Sequence, residues 1–516
     1  METYFTEKQI LLLFTAAFLF LLSLIFHLKH KFTLSVLFLV LSSVAIFSFA
    51  ALLDPFLNLW DERFHALVGK NLMQHPLMPT LYDDPVLDMD YNRWDKAYIW
   101  LHKQPLFLWQ IALSFKLFGI SEFSLRIPDI LLSAILVAVT YRSTRLLAGN
   151  RAAFISATLL ISTVYLLELI SGRQELEHND VSFLAYVSFS LWSLIEYQHS
   201  EKKYWIYLIG LFAGMAILCK WLTGLLVYFA WVLLKLFYKK IHPSEFVDIL
   251  KSLFVTITIA LPWQILSFVW YPAEAKEAFH YNSIHFTQVL EGHGGDFLFH
   301  FDRINALYGP WVNFVLIPAI ILFLWKSDKK SMAFSLVCSL LFVYLFFSVA
   351  ATKMPSFTLM VAMPVIIILS VSIDYLFSLL TKFVKRELWT QIFFVFLIFG
   401  LVFWRFDVRL LQENHSLNLR SNQHSENQIH NRQVFISLNL PKEYVLFNLK
   451  GRHYVEAMFY TGLPAYNTIP TNEQYQNLKL KGRKIALFLN KDIHIPDYLK
   501  SDKDVVYPAF EIKGDE

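Results

Sequence analysis

The chain has 516 residues, of which 56% are hydrophobic and 17% aromatic, and its formal net charge is +4. A mean hydropathy of +0.46 is too high for a soluble protein of ordinary composition, so the sequence predicts a polytopic membrane protein. The small charge excess lies in short loops rather than in one basic patch, which argues against a nucleic-acid partner. Two cysteines, both in apolar runs, exclude a disulfide framework and a cysteine metal cluster.

Apolar runs long enough to cross a hydrocarbon core of roughly 30 Å recur along the first 405 residues. We predict about twelve spans, at residues 9–26, 33–53, 127–147, 152–171, 180–198, 204–219, 221–238, 248–270, 310–325, 332–350, 356–379 and 388–405. The first run lacks a small-residue cleavage site, so we interpret it as an uncleaved span rather than a signal peptide.

The shorter apolar run 105–119 decides the predicted topology. If it lies flat on the membrane, all basic loops fall on one side, as the positive-inside rule requires; if it crosses, the first basic loop lies opposite the others. We therefore predict an interfacial helix that begins at Pro105. The loops 54–126 and 271–309 and both termini are then extracytoplasmic. The basic clusters are Lys29/Lys31, Arg142/Arg145/Arg151, Lys202/Lys203, Lys235/Lys239/Lys240, Lys326/Lys329/Lys330 and Lys382/Lys385/Arg386.

Two adjacent carboxylates, Asp61 and Glu62, interrupt the apolar sequence after the second span. Phe64, Leu67 and the apolar residues that follow recur at helical spacing, so the pair falls in the first turn of a short amphipathic helix. Helix capping alone would explain acids at this position, because the helix dipole favours negative charge there. Farther along the same loop, Asp88-Met89-Asp90 has the spacing of a soluble transferase metal motif, but it lies in an acidic loop, not after a strand.

More charged residues stand at the predicted outer ends of the spans. Charges at membrane depth are expensive and are functional candidates by default. Snorkelling of the ammonium toward headgroups is the alternative for a single lysine such as Lys220. A set of cations and carboxylates on one side favours a shared polar cavity instead. These residues are Asp61, Glu62, Arg126, Arg173, Asp180, Lys220 and Lys353.

The last hundred residues differ from the rest of the chain. Residues 409–432 are polar and rich in Asn, Gln and His, which indicates a linker. Beyond it, the runs 444–447 and 484–489 read as buried strands on either side of a helix at about 453–460. We predict a small α/β extracytoplasmic domain at 433–516.

Carboxylates facing lysine and arginine at a membrane surface suit transfer of a sugar from a lipid phosphate. The acceptor hydroxyl needs a carboxylate base, and the departing phosphate needs cations. A phosphate is already a good leaving group, so no second acid is required, unlike glycoside hydrolysis.

Seven stretches resemble the GT-C membrane glycosyltransferases of the aminoarabinose transferase and dolichyl-phosphate-mannose protein mannosyltransferase superfamily. Their order and spacing match as well as their residues, and together they cover about residues 50–380. The stretches are WDERF at 60–64, HKQPLFLW at 102–109, FGISEFSLRIP at 118–128, HND at 178–180, CKWLTG at 219–224, LPW at 261–263 and TKMPSF at 352–357.

The resemblance implies an inverting transferase that uses a polyprenyl-phosphate-linked pentose or hexose and a lipid, glycan or protein acceptor. Asp61 would be the catalytic base with Glu62 beside it, and Asp180 would position donor or acceptor. The resemblance also implies four phosphate ligands or cavity supports, which are Lys103, Arg126, Lys220 and Lys353.

One departure from the family pattern concerns a metal. The family commonly has an acidic residue before the lysine of its Lys-x-Pro-Leu element, where this chain has His102. Because imidazole suits zinc, His102 could bind a divalent metal with His285 or His293 from the second long loop. Ordinary loop histidines are the alternative. The same loop is aromatic and glycine-hinged, so His285 and His293 are also candidate substrate contacts, although interfacial anchoring explains its aromatics equally well.

These patterns together predict an all-α polytopic GT-C fold at 1–408, in a bacterial inner membrane with the active site outside, a linker at 409–432 and the α/β domain. The rival interpretation is a transporter or flippase of a charged lipid-linked substrate. Transporters tend to have paired halves and charges near the midplane, whereas these charges cluster at one surface and no repeat is visible. A third reading is an inactive relative that only binds polyprenyl phosphates.

Overall fold

A computed structural model describes residues 5–173, 178–237, 243–415, 423–489 and 494–514. Over these residues the chain is mainly α-helical. Lys239 and Lys240 of the fourth basic cluster, and residues 416–422 of the predicted linker, lie outside the described residues.

The first four helices lead into the candidate site. They are α1 (Glu7–Leu28), α2 (Phe32–Ala51), α3 (Asp61–Leu72) and α4 (Leu106–Phe118). Helix α3 begins at Asp61, so both predicted acids occupy its first turn. Helix α4 directly follows Pro105, and its 13 residues rise only about 20 Å at 1.5 Å per residue, which is too short to cross a bilayer.

The next helices form most of the membrane part. Helices α9 and α10 are separated by a 3₁₀ turn at Trp221–Leu225, and a second 3₁₀ helix, Pro355–Val361, precedes α17. The helices are α5 (Glu122–Ala148), α6 (Asn150–Ile161), α7 (Val164–Ser171), α8 (His178–Ser200), α9 (Tyr204–Lys220), α10 (Leu226–Phe237), α11 (Pro243–Trp270), α12 (Pro272–Ile284), α13 (Phe299–Asp302), α14 (Ile304–Tyr308), α15 (Val312–Lys326), α16 (Lys330–Val349), α17 (Ala362–Thr381), α18 (Glu387–Arg405) and α19 (Val408–His415).

Within the described residues, eight helical segments are long and apolar enough to cross a membrane, or up to ten if each bent pair is one span. The bent pairs are α6 with α7, at 45°, and the α13–α14 segment with α15, at 91°. One of the eight is Tyr204–Phe237, which joins the two predicted spans 204–219 and 221–238. The chain is an integral membrane protein, and the count of twelve spans stays a prediction.

Burial separates inner from outer helices. Along Pro355–Thr381, which contains α17, 89% of the most apolar window is buried inside the protein, against 22% in α1 and in the segment that contains α18. Since α1 and α18 expose long apolar side chains such as Phe14 and Phe403, these two helices face lipid, while α17 belongs to the core.

The C-terminal residues form a small mixed structure. Its elements are α20 (Gln423–Ser437), β1 (Tyr444–Phe447), α21 (His453–Thr461), α22 (Asn472–Leu480), β2 (Lys484–Leu487) and α23 (Asp497–Lys500). Strands β1 and β2 pair in parallel, with Tyr444 opposite Lys484. Buried side chains of α21 share one apolar core with those of α3 and α4, so this segment packs directly on the first long loop. The boundaries of a separate domain at 433–516 stay a prediction.

Candidate functional site

A cavity of about 180 Å³ is lined by residues from six separated parts of the chain. These parts are the start of α3, the loop before α4, the start of α8, the end of α9 with the 3₁₀ turn after it, the second long loop, and the segment that runs from the end of α16 to the second 3₁₀ helix. Seven of the predicted site residues line it: Asp61, His102, Lys103, Asp180, Lys220, His285 and His293.

The first ion pair of the cavity joins Asp61 and Lys103. Asp61 Oδ2 lies 3.0 Å from Lys103 Nζ, and the two side chains are 3% and 14% exposed. Trp60, just before the helix, has φ +73°, a conformation that is uncommon for a residue other than glycine. This turn starts α3 abruptly, so the Asp61 carboxylate stands at a helix N-terminus, where the dipole favours its charge.

The second ion pair joins Lys220 and Asp180. Lys220 donates to Asp180 Oδ1, and its ammonium lies 4.9 Å from the centre of the Phe357 ring. Lys220 is the last residue of α9 and Asp180 lies in the first turn of α8, so each charge has the sign that its helix end favours. Two ammonium groups, each held by a carboxylate, therefore border one cavity, and an anionic ligand entering it would compete for both.

Glu62, although adjacent to Asp61, does not line the cavity. Its Oε1 accepts from Arg126 Nε at 2.8 Å and lies 2.8 Å from His178 Nε2, while its Oε2 accepts from the backbone N–H of Asn58 at 2.6 Å. His178 Nδ1 continues this cluster to Asp129 at 2.7 Å. Burial raises the pKa of Glu62, but the Arg126 and His178 charges outweigh it and leave the pKa below its ordinary value of 4.5.

Arg126 and Lys353 also lie outside the cavity. The side chain of Arg126 is fully buried and donates to three backbone carbonyls near the end of α2 in addition to Glu62. Lys353 Nζ donates to the carbonyls of Ser348 and Ala350 at 2.7 Å each and borders a neighbouring cavity of about 640 Å³. Glu62, Arg126 and Lys353 thus make their contacts outside the first cavity, and their predicted roles in catalysis or phosphate binding stay predictions.

The three histidines proposed for a metal are engaged separately. His102 stacks on Trp94, with ring centres 4.5 Å apart, His285 Nδ1 lies 2.9 Å from the carbonyl of Tyr281, and His293 meets the edge of Trp60. Over the ranges that the structure describes, no group of three or more His, Cys, Asp or Glu side chains is arranged to hold a metal ion. All three histidines line the same cavity, and the pairing of His102 with His285 or His293 on a divalent metal stays a prediction.

Four further residues also line the cavity, namely Trp60, Tyr281, Glu291 and Phe357. Tyr281 belongs to the aromatic second loop, and Trp60 and Phe357 lie in two of the family-like stretches, whereas Glu291 has no role in the sequence interpretation. Burial, followed by the nearby charge of Glu291, raises the pKa of Tyr281, so its hydroxyl stays protonated and can donate. Sequence signals were present for Trp60, Tyr281 and Phe357, but only the fold brings Glu291 to the cavity.

Glycine at position 172 is required by the buried cluster, which leads to a first prediction. Gly172 has φ +76°, and a Cβ there would lie 2.1 Å from Glu62 Oε1. We expect Gly172→Ala to lower the free energy of unfolding by about 2–4 kcal/mol, which combines a left-handed backbone cost with overpacking. Thermal unfolding in detergent measures this.

Gly462 provides the matched control, since it also has positive φ, +70°, but an added Cβ would meet nothing within 4 Å. Gly462→Ala should cost only the backbone part, about 1 kcal/mol. Equal losses in the two variants would contradict the contact with Glu62.

Parts of the sequence resemble known protein families and relatives. The family model of dolichyl-phosphate-mannose-protein mannosyltransferases matches residues 102–268. An uncharacterized protein of Aquifex aeolicus is 26% identical over 354 residues, which are 66% of this chain and 65% of that protein. An undecaprenyl phosphate-alpha-4-amino-4-deoxy-L-arabinose arabinosyl transferase of Pseudomonas fluorescens is 25% identical over 272 residues, 51% of this chain and 48% of the relative. The chain thus spans about half the length of such arabinosyl transferases.

Two solved structures resemble the fold over most of this chain. The crystal structure of ArnT from Cupriavidus metallidurans bound to undecaprenyl phosphate aligns with a TM-score of 0.63 at 16% identity, over 86% of this chain and 88% of that one. The oligosaccharyltransferase of Archaeoglobus fulgidus aligns with a TM-score of 0.56 at 12% identity, over 85% and 65%. At such identities the likeness establishes a common fold.

Proposed function

Because the chain belongs to the GT-C superfamily of membrane glycosyltransferases, we propose that it moves a pentose or hexose from a polyprenyl-phosphate carrier to a lipid, glycan or protein acceptor, with inversion. The reaction takes place at the extracytoplasmic face of a bacterial inner membrane. The observation that carries this proposal is the cavity in which Asp61–Lys103 and Asp180–Lys220 stand together. Undecaprenyl phosphate is named for the arabinosyl transferase of Pseudomonas fluorescens and for the ArnT structure, which supports a polyprenyl-phosphate donor.

In this mechanism Asp61 is the base. Its carboxylate takes the proton of the acceptor hydroxyl as that oxygen bonds to the anomeric carbon. The bond between the anomeric carbon and the phosphate oxygen breaks, and the phosphate leaves with the electron pair. Lys103 and Lys220 compensate the charge that develops on the phosphate, and Asp180 orients Lys220. Glu62 and Arg126 fix the helix end that carries Asp61.

Sugar transfer in vesicles tests the proposal and separates it from transport. We expect labelled undecaprenyl-phosphate aminoarabinose or polyprenyl-phosphate mannose to lose its sugar to an extractable acceptor when the purified chain is present. Lys220→Met should raise the donor concentration for half-maximal rate by about 10- to 100-fold, the value of a charge-assisted hydrogen bond of 1.5–3 kcal/mol.

Lys479→Met is the matched control, since Lys479 pairs with Asp502 in the C-terminal segment and does not line the cavity; this change should leave the rate unchanged. Movement of intact labelled donor across the membrane without transfer would instead favour the transporter interpretation.

A further inference from the structure

An arginine of the C-terminal segment reaches the first long loop beside the cavity. Arg452, just before α21, places its guanidinium carbon 5.2 Å from the ring centre of Trp60 and 5.0 Å from that of Trp94. Its Nε also lies 3.6 Å from Asp95 Oδ2, and the side chain is only 25% exposed. Guanidinium groups at such distances are attracted to aromatic faces, and more strongly when water is excluded.

Trp60 and Trp94 each connect to one partner of the Asp61–Lys103 ion pair. Trp60 directly precedes Asp61 in the chain. Trp94 stacks on His102, with ring planes 13° apart, and His102 directly precedes Lys103. Arg452 therefore connects, through one aromatic ring on each side, the backbone that carries Asp61 and the backbone that carries Lys103.

This connection matters because the Trp60 backbone is strained. Its φ of +73° and ψ of −129° cost free energy, and such a conformation persists only where surrounding contacts hold it. Helix capping does not explain Arg452, because a cation at the N-terminal end of α21 opposes the helix dipole. The contacts with Trp60 and Trp94, together with the one to Asp95, account for a position that α21 itself does not favour.

We propose that Arg452 is a positioning residue, which holds Asp61 and Lys103 in their relative geometry through Trp60 and Trp94. This inference rests on the proposed transferase function and adds the C-terminal segment to it. Without Arg452, Trp60 can relax and the carboxylate of Asp61 shifts relative to the acceptor. A shift of that kind slows the chemical step more than it weakens donor binding.

Transfer kinetics of the full chain in vesicles test this inference. We expect Arg452→Ala to lower kcat by about 10- to 100-fold, the cost of a small misplacement of catalytic groups, with the KM for the donor nearly unchanged. Arg452→Lys keeps the charge and should recover part of kcat. Arg483→Ala is the matched control, because Arg483 pairs with Asp84 of the first long loop, and its contacts among the described residues include neither Trp60 nor Trp94.

Hydroxyl-radical footprinting read by mass spectrometry gives a readout independent of activity. Arg452→Ala should increase labelling of Trp60 and Trp94 while labelling of the other tryptophans stays constant. Unchanged kcat with unchanged labelling would overturn the inference, as would a general rise in labelling across the C-terminal segment, which indicates loss of structure. If the wild type transfers no sugar, the proposed function fails, whereas footprinting still decides whether Arg452 holds the two rings.

Discussion

Asp61→Asn should lower the turnover of sugar transfer by about 10²- to 10⁴-fold, the contribution of a well-placed general base. The asparagine keeps the shape of the side chain and its place in the first turn of α3, so the fold should not change. It cannot accept the proton of the acceptor hydroxyl, because a neutral amide is not a base at ordinary pH. Initial rates in vesicles at saturating donor measure the loss.

The donor KM should respond differently from turnover. Lys103, now without the carboxylate 3.0 Å away, keeps its ammonium available for the carrier phosphate. We therefore expect donor binding at least as tight as in the wild type. Asp90→Asn is a suitable control, because Asp90 is an exposed acid of the same loop that accepts a local bond from the backbone N–H of Asn92. If Asp61→Asn turned over at the wild-type rate, Asp61 would not be the catalytic base and would serve only at the N-terminus of the helix.

Sequence reasoning succeeded where a local rule acts. Pro105 fixes the start of α4, and the two acids of the first long loop fall in the first turn of a helix, as the dipole favours. The strands at 444–447 and 484–487 also lie in the predicted runs, because a short apolar run bounded by polar residues is a local pattern. A shared cavity for Asp61, Asp180 and Lys220 agrees with the prediction made from their placement on one side of the membrane, whereas Lys103 was included only because of the family resemblance.

The roles within the charged set could not be predicted from the sequence. Asp61 and Glu62 are neighbours on a helix and point about 100° apart, so one borders the cavity and the other enters the core. Which one does so depends on Arg126, His178 and Asp129, which are distant in sequence. Likewise, Arg452 could not be connected with the site, since only the packing of α21 on α3 brings it to Trp60.

The ends of the membrane spans were harder to predict, because an apolar run does not show where a helix bends. Helices α6 and α7 turn by 45° within what reads as a single run. The 3₁₀ turn between α9 and α10 falls at Trp221, which has positive φ, directly after the predicted polar interruption Lys220. Hydropathy alone assigns both helices to one long segment, whereas the charge pattern divides them.

Glu62→Gln should destabilise the protein by about 3–5 kcal/mol, the cost of removing one partner from a buried ion pair. Glutamine has almost the same volume, so packing is retained, but Arg126 keeps its charge with no exposure to water. One carboxylate oxygen becomes an amide NH₂ group, so either His178 Nε2 at the Oε1 position or the Asn58 N–H at the Oε2 position loses its acceptor. Denaturant or thermal unfolding of the detergent-solubilised protein measures the change.

The effect should depend on pH in a defined direction. Because the folded-state pKa of Glu62 lies below its ordinary value of 4.5, its stabilisation is complete above that value and is lost as the pH falls through the lower folded-state pKa. Glu62→Gln should therefore be less stable than the wild type at neutral pH. Its free energy of unfolding should also lack the decrease at acid pH that protonation of Glu62 causes in the wild type. Glu443→Gln, in an exposed pair with Lys484, should change stability by less than about 1 kcal/mol. If Glu62→Gln were as stable as the wild type but had no transfer activity, Glu62 would have a direct catalytic role, as the family resemblance implies.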